Sequence, residues 1–180
     1  MKGLTLFEVL VSLVIFSIIA MALGYAVVAG KNALFVSDIP TQLRQNVLFA
    51  LMPMVRELRQ TAPGKINIAV GASSNSIIFK LPHDNNGDGV EVDSAGKVEW
   101  GVNTITYARN GASQLTRTCG GVTSVIAPNI AVLQFSRPAG QVGDKETLLQ
   151  IDLTAQKTDN QGKLYQDTDQ VILKMRNTDE

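Results

Sequence analysis

The sequence predicts an α+β fold, with a long N-terminal helix packed on a C-terminal antiparallel β-sheet domain. Three observations lead to this prediction. The 22 residues from Val9 to Gly30 have no charged side chain. A stretch with apolar residues every three or four positions follows them, as expected for a helix with one buried face. From Lys65 onward, short β-favouring runs alternate with turn residues.

The uncharged stretch is long enough to cross a membrane, since about 20 helical residues span the hydrocarbon core of a bilayer. A secretory signal peptide that ends at the small residues Ala20 and Ala22 is one explanation, and a plain signal anchor is another. Neither explanation accounts for Glu8, because an isolated carboxylate in hydrocarbon is costly and usually marks a function or a partner.

Residues 3–10, Gly-Leu-Thr-Leu-Phe-Glu-Val-Leu, resemble the N-terminus of type IV pilins and type II secretion pseudopilins. The resemblance implies that a prepilin peptidase cleaves between Gly3 and Leu4 and that Leu4 is then N-methylated. It also implies that Glu8 takes part in processing and assembly. Inside a core of packed apolar helices, a neighbour's N-terminal ammonium would neutralise Glu8 and fix the stagger between subunits.

The helix is predicted to continue beyond the apolar stretch, over Leu4–Gln60, with one apolar face. Asp38 and Pro40 predict a helical restart after a bend at 36–40, and Pro53 predicts a kink. The sequence Ala-Pro-Gly at 62–64 ends the helix. The residues predicted to face the sheet are Leu43, Val47, Leu51, Met54, Val55 and Leu58.

Four regions follow from these patterns and the resemblance. They are a prepilin leader at 1–3, a transmembrane or filament-core helix at 4–30, an amphipathic continuation at 31–62 and a periplasmic β-rich domain at 63–180. The predicted strands are Ile66–Val70, Ser76–Leu81, Val98–Arg109, Gln114–Arg117, Ser124–Ser136, Thr147–Thr158 and Asp169–Met175.

The stretch Ser76–Arg117 resembles the body of J-type minor pseudopilins and W-type minor pilins. It has an apolar strand, an Asp-Asn-Asn-Gly-Asp-Gly turn, a Val-Glu-Trp run and the sequence Ile-Thr-Tyr at 105–107. The chain has a single cysteine, so it has no pair of C-terminal cysteines such as many major pilins use to close a loop. The resemblance therefore implies a minor subunit.

The turn between the first strands contains Asp-x-Asn-x-Asp-Gly, the first half of an EF-hand-type calcium loop. Ala95 stands where such a loop needs a bidentate glutamate, although Glu91 or Asp93 would offer oxygens in another geometry. A polar hairpin turn is the competing explanation. The predicted Ca²⁺ ligands are Asp84, Asn86, Asp88 and the carbonyl of Val90, with Gly89 at the sharp turn.

Composition and motifs argue against several other functions. With 16 basic and 16 acidic side chains the chain has no excess positive charge for nucleic acid, so no nucleic-acid partner is expected. One cysteine and one histidine are too few for a structural zinc site. His83 has no nucleophile motif beside it, so the chain is not expected to be an enzyme. Cys119 is expected as a half-buried thiol or in an intermolecular disulfide, and Trp100 and Tyr107 in sheet packing.

The sequence is therefore interpreted as a pilin-like subunit that is anchored in the bacterial inner membrane and assembles into a type IV pilus or a secretion pseudopilus. The resemblance implies three kinds of partner, namely other pilin or pseudopilin subunits, the prepilin peptidase and an inner-membrane assembly platform. A signal-anchored periplasmic binding domain and an anchored hydrolase remain as alternatives, and for both of these Glu8 would be dispensable.

Overall fold

The computed structural model describes residues 5–139 and 147–176, apart from the side chains of 32–37. It confirms the α+β class. Within these residues, one α-helix, α1, covers Leu6–Leu58, and eight β-strands follow it. A three-residue 3-10 helix, Pro63–Lys65, lies where the sequence predicted the end of the helical part.

The predicted restart of the helix at Asp38 is wrong, because α1 is one helix with Pro40 and Pro53 inside it. A proline in a helix removes its own amide hydrogen bond, and the residues on both sides keep theirs. Leu, Ala, Arg and Gln around the two prolines are good helix formers, so each proline interrupts the hydrogen bonding of α1 without ending it.

The chain divides into two compact units, Met1–Ile39 and Pro40–Glu180. In the first unit, residues 6–31 of α1 are mainly apolar and exposed, whereas Ile39 at the end of the unit is buried. The second unit contains the rest of α1 together with all eight strands, and its core lies between them. The core side of the helix is the predicted stripe, since Leu43, Val47, Leu51, Met54 and Leu58 are all buried. Val55 is half-buried at the edge of the stripe.

The strands form two antiparallel sheets of four. The first has the order β1-β6-β7-β8 and the second the order β2-β3-β4-β5. The longest pairing joins β7 to β8 through eleven residue pairs, from Leu148 with Lys174 to Thr158 with Leu164. The strands are β1 Ser73–Ser74, β2 Ser76–Phe79, β3 Ile105–Arg109, β4 Leu115–Cys119, β5 Val122–Ala127, β6 Ile130–Ser136, β7 Leu148–Thr158 and β8 Leu164–Lys174.

Two predicted strands differ from the structure because side chains or turns replace backbone pairing. The segment Ile66–Val70 forms a single bridge, from Ile66 to Phe79, and the Asn67 side chain accepts the amide of Ile78 (2.8 Å). The predicted strand Val98–Arg109 begins only at Ile105. The residues before Ile105 make isolated bridges that close an exposed loop.

The predicted strand Ser124–Ser136 is divided into β5 and β6 at a bend where the chain passes from one sheet to the other. Asn129 has a positive φ of 62° at this bend, and Ser113 has one of 57°. The amide of Ile130 donates to the Ser113 carbonyl (2.7 Å), and the Arg109 Nε donates to the Ile130 carbonyl (2.6 Å). These bonds define a seam between the two sheets.

A charged contact ties α1 to the second sheet. Arg117 on β4 forms an ion pair with Glu57 on α1 (Nη2 to Oε1, 3.0 Å), and its Nε lies 3.1 Å from both carboxylate oxygens. The Tyr107 hydroxyl donates to Glu57 Oε2 (2.9 Å). Burial and the negative charge of Glu57 raise the pKa of Tyr107, and the hydrogen bond to Glu57 raises the pKa of Arg117.

The two aromatic residues predicted to pack on the sheet differ in their surroundings. Tyr107 is fully buried and stacks on Phe79, with ring centroids 6.0 Å apart. Trp100 is half-buried, and the Lys65 ammonium lies 5.7 Å from the centre of its ring. The prediction of sheet packing is therefore confirmed for Tyr107, whose hydroxyl also donates the hydrogen bond to Glu57.

Candidate functional site: the N-terminal segment and the acidic loop

The first turn of α1 is held by Thr5 and Glu8. The Thr5 amide and hydroxyl both donate to Glu8 Oε2 (2.9 and 3.0 Å), and the Glu8 amide donates back to the Thr5 hydroxyl (3.3 Å). This is a capping box, in which Thr5 stands at the N-cap and Glu8 three residues later. The predicted assembly residue therefore also stabilises the start of its own helix. The role of Thr5 was not among the predictions, and the Thr-x-x-Glu pattern at 5–8 is the sequence signal for it.

The two predicted processing residues, Gly3 and Leu4, lie outside the described residues. Cleavage between them and methylation of Leu4 therefore stay predictions. The cap begins at Thr5, on the C-terminal side of the predicted cleavage point. Removal of a three-residue leader would leave the groups that make the capping box in place.

The segment Leu6–Lys31 is long and apolar enough to cross a membrane. It has 26 residues, its most apolar 18-residue window has a mean hydropathy of 2.6, and none of that window is buried within the protein. Large side chains such as Leu6, Phe7 and Phe16 are more than two-thirds exposed. An apolar surface of this size needs an apolar partner, either lipid or protein.

The four predicted calcium ligands lie in one turn at the tip of an exposed loop. Asp84 Oδ1 accepts the Gly87 amide (2.6 Å), and Asp84 Oδ2 accepts the Gly89 amide (2.8 Å). Asn86 Oδ1 accepts the amide of Asp88, and Asp88 Oδ1 accepts the amide of Val90, each at 2.9 Å. The amides of Gly89 and Gly87 lower the pKa of the Asp84 carboxyl.

Glu99 joins this turn from the other side of the loop. Its Oε2 accepts the Asn85 amide (2.7 Å) and its Oε1 accepts the Asn86 side-chain amide (3.2 Å). The pairing of His83 with Glu99 brings it there, since the His83 amide donates to the Glu99 carbonyl (2.9 Å). Asp93 was considered above as a further calcium ligand. Its Oδ1 instead accepts hydrogen bonds from the amides of Ala95 and Lys97 in its own turn.

The side-chain oxygens of Asp84, Asn86 and Asp88 are of the type that calcium prefers, and they accept hydrogen bonds from amides of the same turn. Across the described residues, His, Cys, Asp and Glu side chains do not form a group of three or more that could hold a metal ion. Calcium binding at Asp84, Asn86, Asp88 and Val90 therefore stays a prediction.

Cys119 and His83 line one pocket, together with Asp84 and Arg117. Cys119 is a half-buried free thiol at the end of β4, next to the turn at Gly120 and Gly121. Both glycines have positive φ, 56° and 83°, which the tight turn from β4 into β5 requires. His83 is exposed. An intermolecular disulfide at Cys119 stays a prediction.

Residues 1–24 match the model of the prokaryotic N-terminal methylation motif. No curated protein and no solved structure matches the chain. The match supports a type IV pilin-like prepilin, and such proteins are structural subunits that assemble with other pilins. Together with the apolar segment Leu6–Lys31, it is consistent with a single-pass inner-membrane anchor.

Proposed function

We propose that this chain is a pilin-like filament subunit, cleaved after Gly3, N-methylated at Leu4 and assembled through its N-terminal helix into a type IV pilus or a type II secretion pseudopilus. The observation that carries the proposal is the methylation motif at residues 1–24, which leads directly into the exposed apolar segment Leu6–Lys31. The chain acts by assembly and does not catalyse a reaction.

The exposed apolar segment supports assembly as well as membrane anchoring. In a bilayer, lipid covers its side chains, and in a filament the corresponding helices of neighbouring subunits cover them. Glu8 is the acidic residue of this segment. Its Oε2 is occupied by Thr5, whereas its Oε1 has no hydrogen bond among the described residues. Oε1 would accept the N-terminal ammonium of a neighbouring subunit, and this pairing would compensate the buried charge and set the register.

We further propose that the chain is a minor subunit of the filament, because Ser76–Arg117 resembles minor pseudopilins and minor pilins. A minor subunit would prime the filament or lie near its tip, with the β-domain in the periplasm. Its abundance in purified filaments separates this role from that of a major subunit. The prepilin peptidase and an inner-membrane assembly platform are the partners that this pathway requires.

Mass spectrometry of the N-terminal peptide tests the processing step. The protein is recovered from membranes of its native host or of a strain with a prepilin peptidase. We expect a start at N-methylated Leu4. A start at Leu23 would mean ordinary secretion, and an intact Met1 would mean a plain signal anchor, so either result would reject the proposal.

Substitution of Glu8 tests the assembly step. Glu8→Ala should reduce the amount of subunit in sheared filaments or pseudopili while the protein persists in the membrane. Thr5→Val is the matched control, because it removes the hydroxyl of the capping box and keeps the carboxylate. Assembly that survives Glu8→Ala would contradict a role for the carboxylate in subunit register.

A further inference from the structure

An open apolar groove runs between the C-terminal half of α1 and strand β8, and the described part of the chain leaves it uncovered. Its cavity volume is about 620 Å³. Its apolar lining includes Leu48, Met52 and Val55 from α1 and Val171 from β8. Leu48 and Met52 are 47% and 67% exposed, which is unusual for large apolar side chains next to a core.

The wall of this groove on the sheet side is an edge strand. In the sheet order β1-β6-β7-β8, β8 is the last strand and pairs with β7 alone. One edge of β8 therefore carries backbone amides and carbonyls that no described strand pairs. Where the chain leaves β8, the Arg176 amide donates to the Arg59 carbonyl (2.8 Å), which joins the strand to α1 and closes one end of the groove.

The charges around the groove are mainly positive. Arg56, Arg59 and Arg176 line it, all three are exposed, and none has an ion pair among the described residues. Asp169 on β8 is the acidic lining residue, so the lining has two more positive than negative charges. Exposed arginine side chains favour a partner with carboxylates, because a guanidinium group can bind a carboxylate through two parallel hydrogen bonds.

We propose that this groove binds an extended acidic segment of a neighbouring filament subunit, which adds to β8 as a further strand. Alternate apolar side chains of the segment would lie in the groove, and acidic side chains would face Arg56, Arg59 and Arg176. Strand addition uses the unpaired edge for affinity and the groove for specificity. The identity of the partner as a filament subunit rests on the proposed function, whereas the groove's preference for acidic strands does not.

The chain itself offers an example of such a segment. Residues 90–93, Val-Glu-Val-Asp, alternate apolar and acidic side chains on the exposed loop, and Val90 and Val92 are 53% and 40% exposed. A second copy of this chain is therefore one donor of suitable chemistry. Its participation would appear as concentration-dependent self-association that substitution of Arg56 weakens, and this would support the proposal.

Peptide binding to the full chain in nanodiscs of zwitterionic lipid tests the proposal. The probe is a fluorescent, capped eight-residue peptide of alternating Val and Glu, compared with one in which Lys replaces each Glu. We expect saturable binding of the acidic peptide that weakens with added salt, and at least tenfold weaker binding of the basic peptide. A peptide N-methylated at alternate amides should lose binding, because it cannot pair with the strand edge.

Two substitutions on the same helix separate the groove from general charge effects. Arg56→Gln should weaken binding of the acidic peptide about threefold, as expected for loss of one exposed charge contact. Arg44→Gln removes an exposed arginine of α1 outside the groove and should leave binding unchanged. The proposal would be overturned if the acidic peptide did not bind saturably, or if the acidic and basic peptides bound equally well. The processing test remains informative in each case.

Discussion

Replacement of Glu57 by glutamine should destabilise the β-domain, because Glu57 is the acceptor for both Arg117 and Tyr107. Glutamine keeps the size of the side chain and removes its charge. The side chains of Arg117 and Glu57 are only 25% and 20% exposed, so solvent screens their contact weakly. Hydrogen bonds to charged groups contribute about 1.5–3 kcal/mol, and loss of one partner in a fully buried pair costs about 3–5 kcal/mol.

For this partly buried pair, we expect the free energy of unfolding to fall by about 2 kcal/mol. That corresponds to a decrease in melting temperature of about 4–8 °C for a domain of this size. Urea unfolding of the full chain in detergent, followed by the fluorescence of the single tryptophan, Trp100, measures the change. Glu91→Gln, at an exposed carboxylate, is the matched control and should change stability by less than about 0.5 kcal/mol.

A double-mutant cycle of Glu57→Gln with Arg117→Gln should give a coupling energy of at least about 1 kcal/mol. The explanation would be refuted if Glu57→Gln were no more destabilising than Glu91→Gln. It would also be refuted if the two substitutions at the ion pair were simply additive.

Three further expectations concern pH and calcium. The pKa of Tyr107 is raised from its ordinary value of 10.0, so stability should fall as the pH rises above about 10, where the unfolded chain loses the tyrosine proton and the folded chain keeps it. Tyr107→Phe should reduce the dependence of the unfolding free energy on pH in this alkaline range. The pKa of the Asp84 carboxyl is lowered from 3.8, so the hydrogen bonds from the Gly87 and Gly89 amides should persist when the pH falls below 3.8 and be lost only below the lowered pKa of the folded protein. Amide NMR shifts of the two glycines measure this, and loss of the bonds already at pH 3.8 would contradict it. If calcium binds the same turn, a free concentration tenfold above its Kd should stabilise the domain by about 1.4 kcal/mol; Asp84→Ala should abolish that gain, and an unchanged melting temperature of the full chain at millimolar calcium would remove the site.

The parts of the fold that depend on local periodicity could be predicted from the sequence. Five residues of the stripe from Leu43 to Leu58 are buried as their three- and four-residue spacing predicted, and the sixth, Val55, is half-buried. Strand β7 follows its alternation, with Leu149, Ile151 and Leu153 buried. Both patterns are set by residues a few positions apart, so they do not require knowledge of the partner element.

Features that depend on distant partners could not be predicted in the same way. The first half of β8 is polar, with Asp167 and Asp169, and it becomes a strand because β7 supplies a complete row of pairing partners. The ion pair between Glu57 and Arg117 joins residues 60 positions apart. In the exposed loop at 82–100, Glu99 reaches Asn85 only because the loop folds back on itself.

The seam between the two sheets affects how the β-domain unfolds. The bend between β5 and β6 is only two residues long, so this connection does not let one sheet move away from the other near the bend. Opening of either sheet near the bend would break the bond between Ile130 and Ser113 and expose the buried side chain of Ile130. Hydrogen exchange should therefore find the amides of both sheets near this bend opening together, as one cooperative unit.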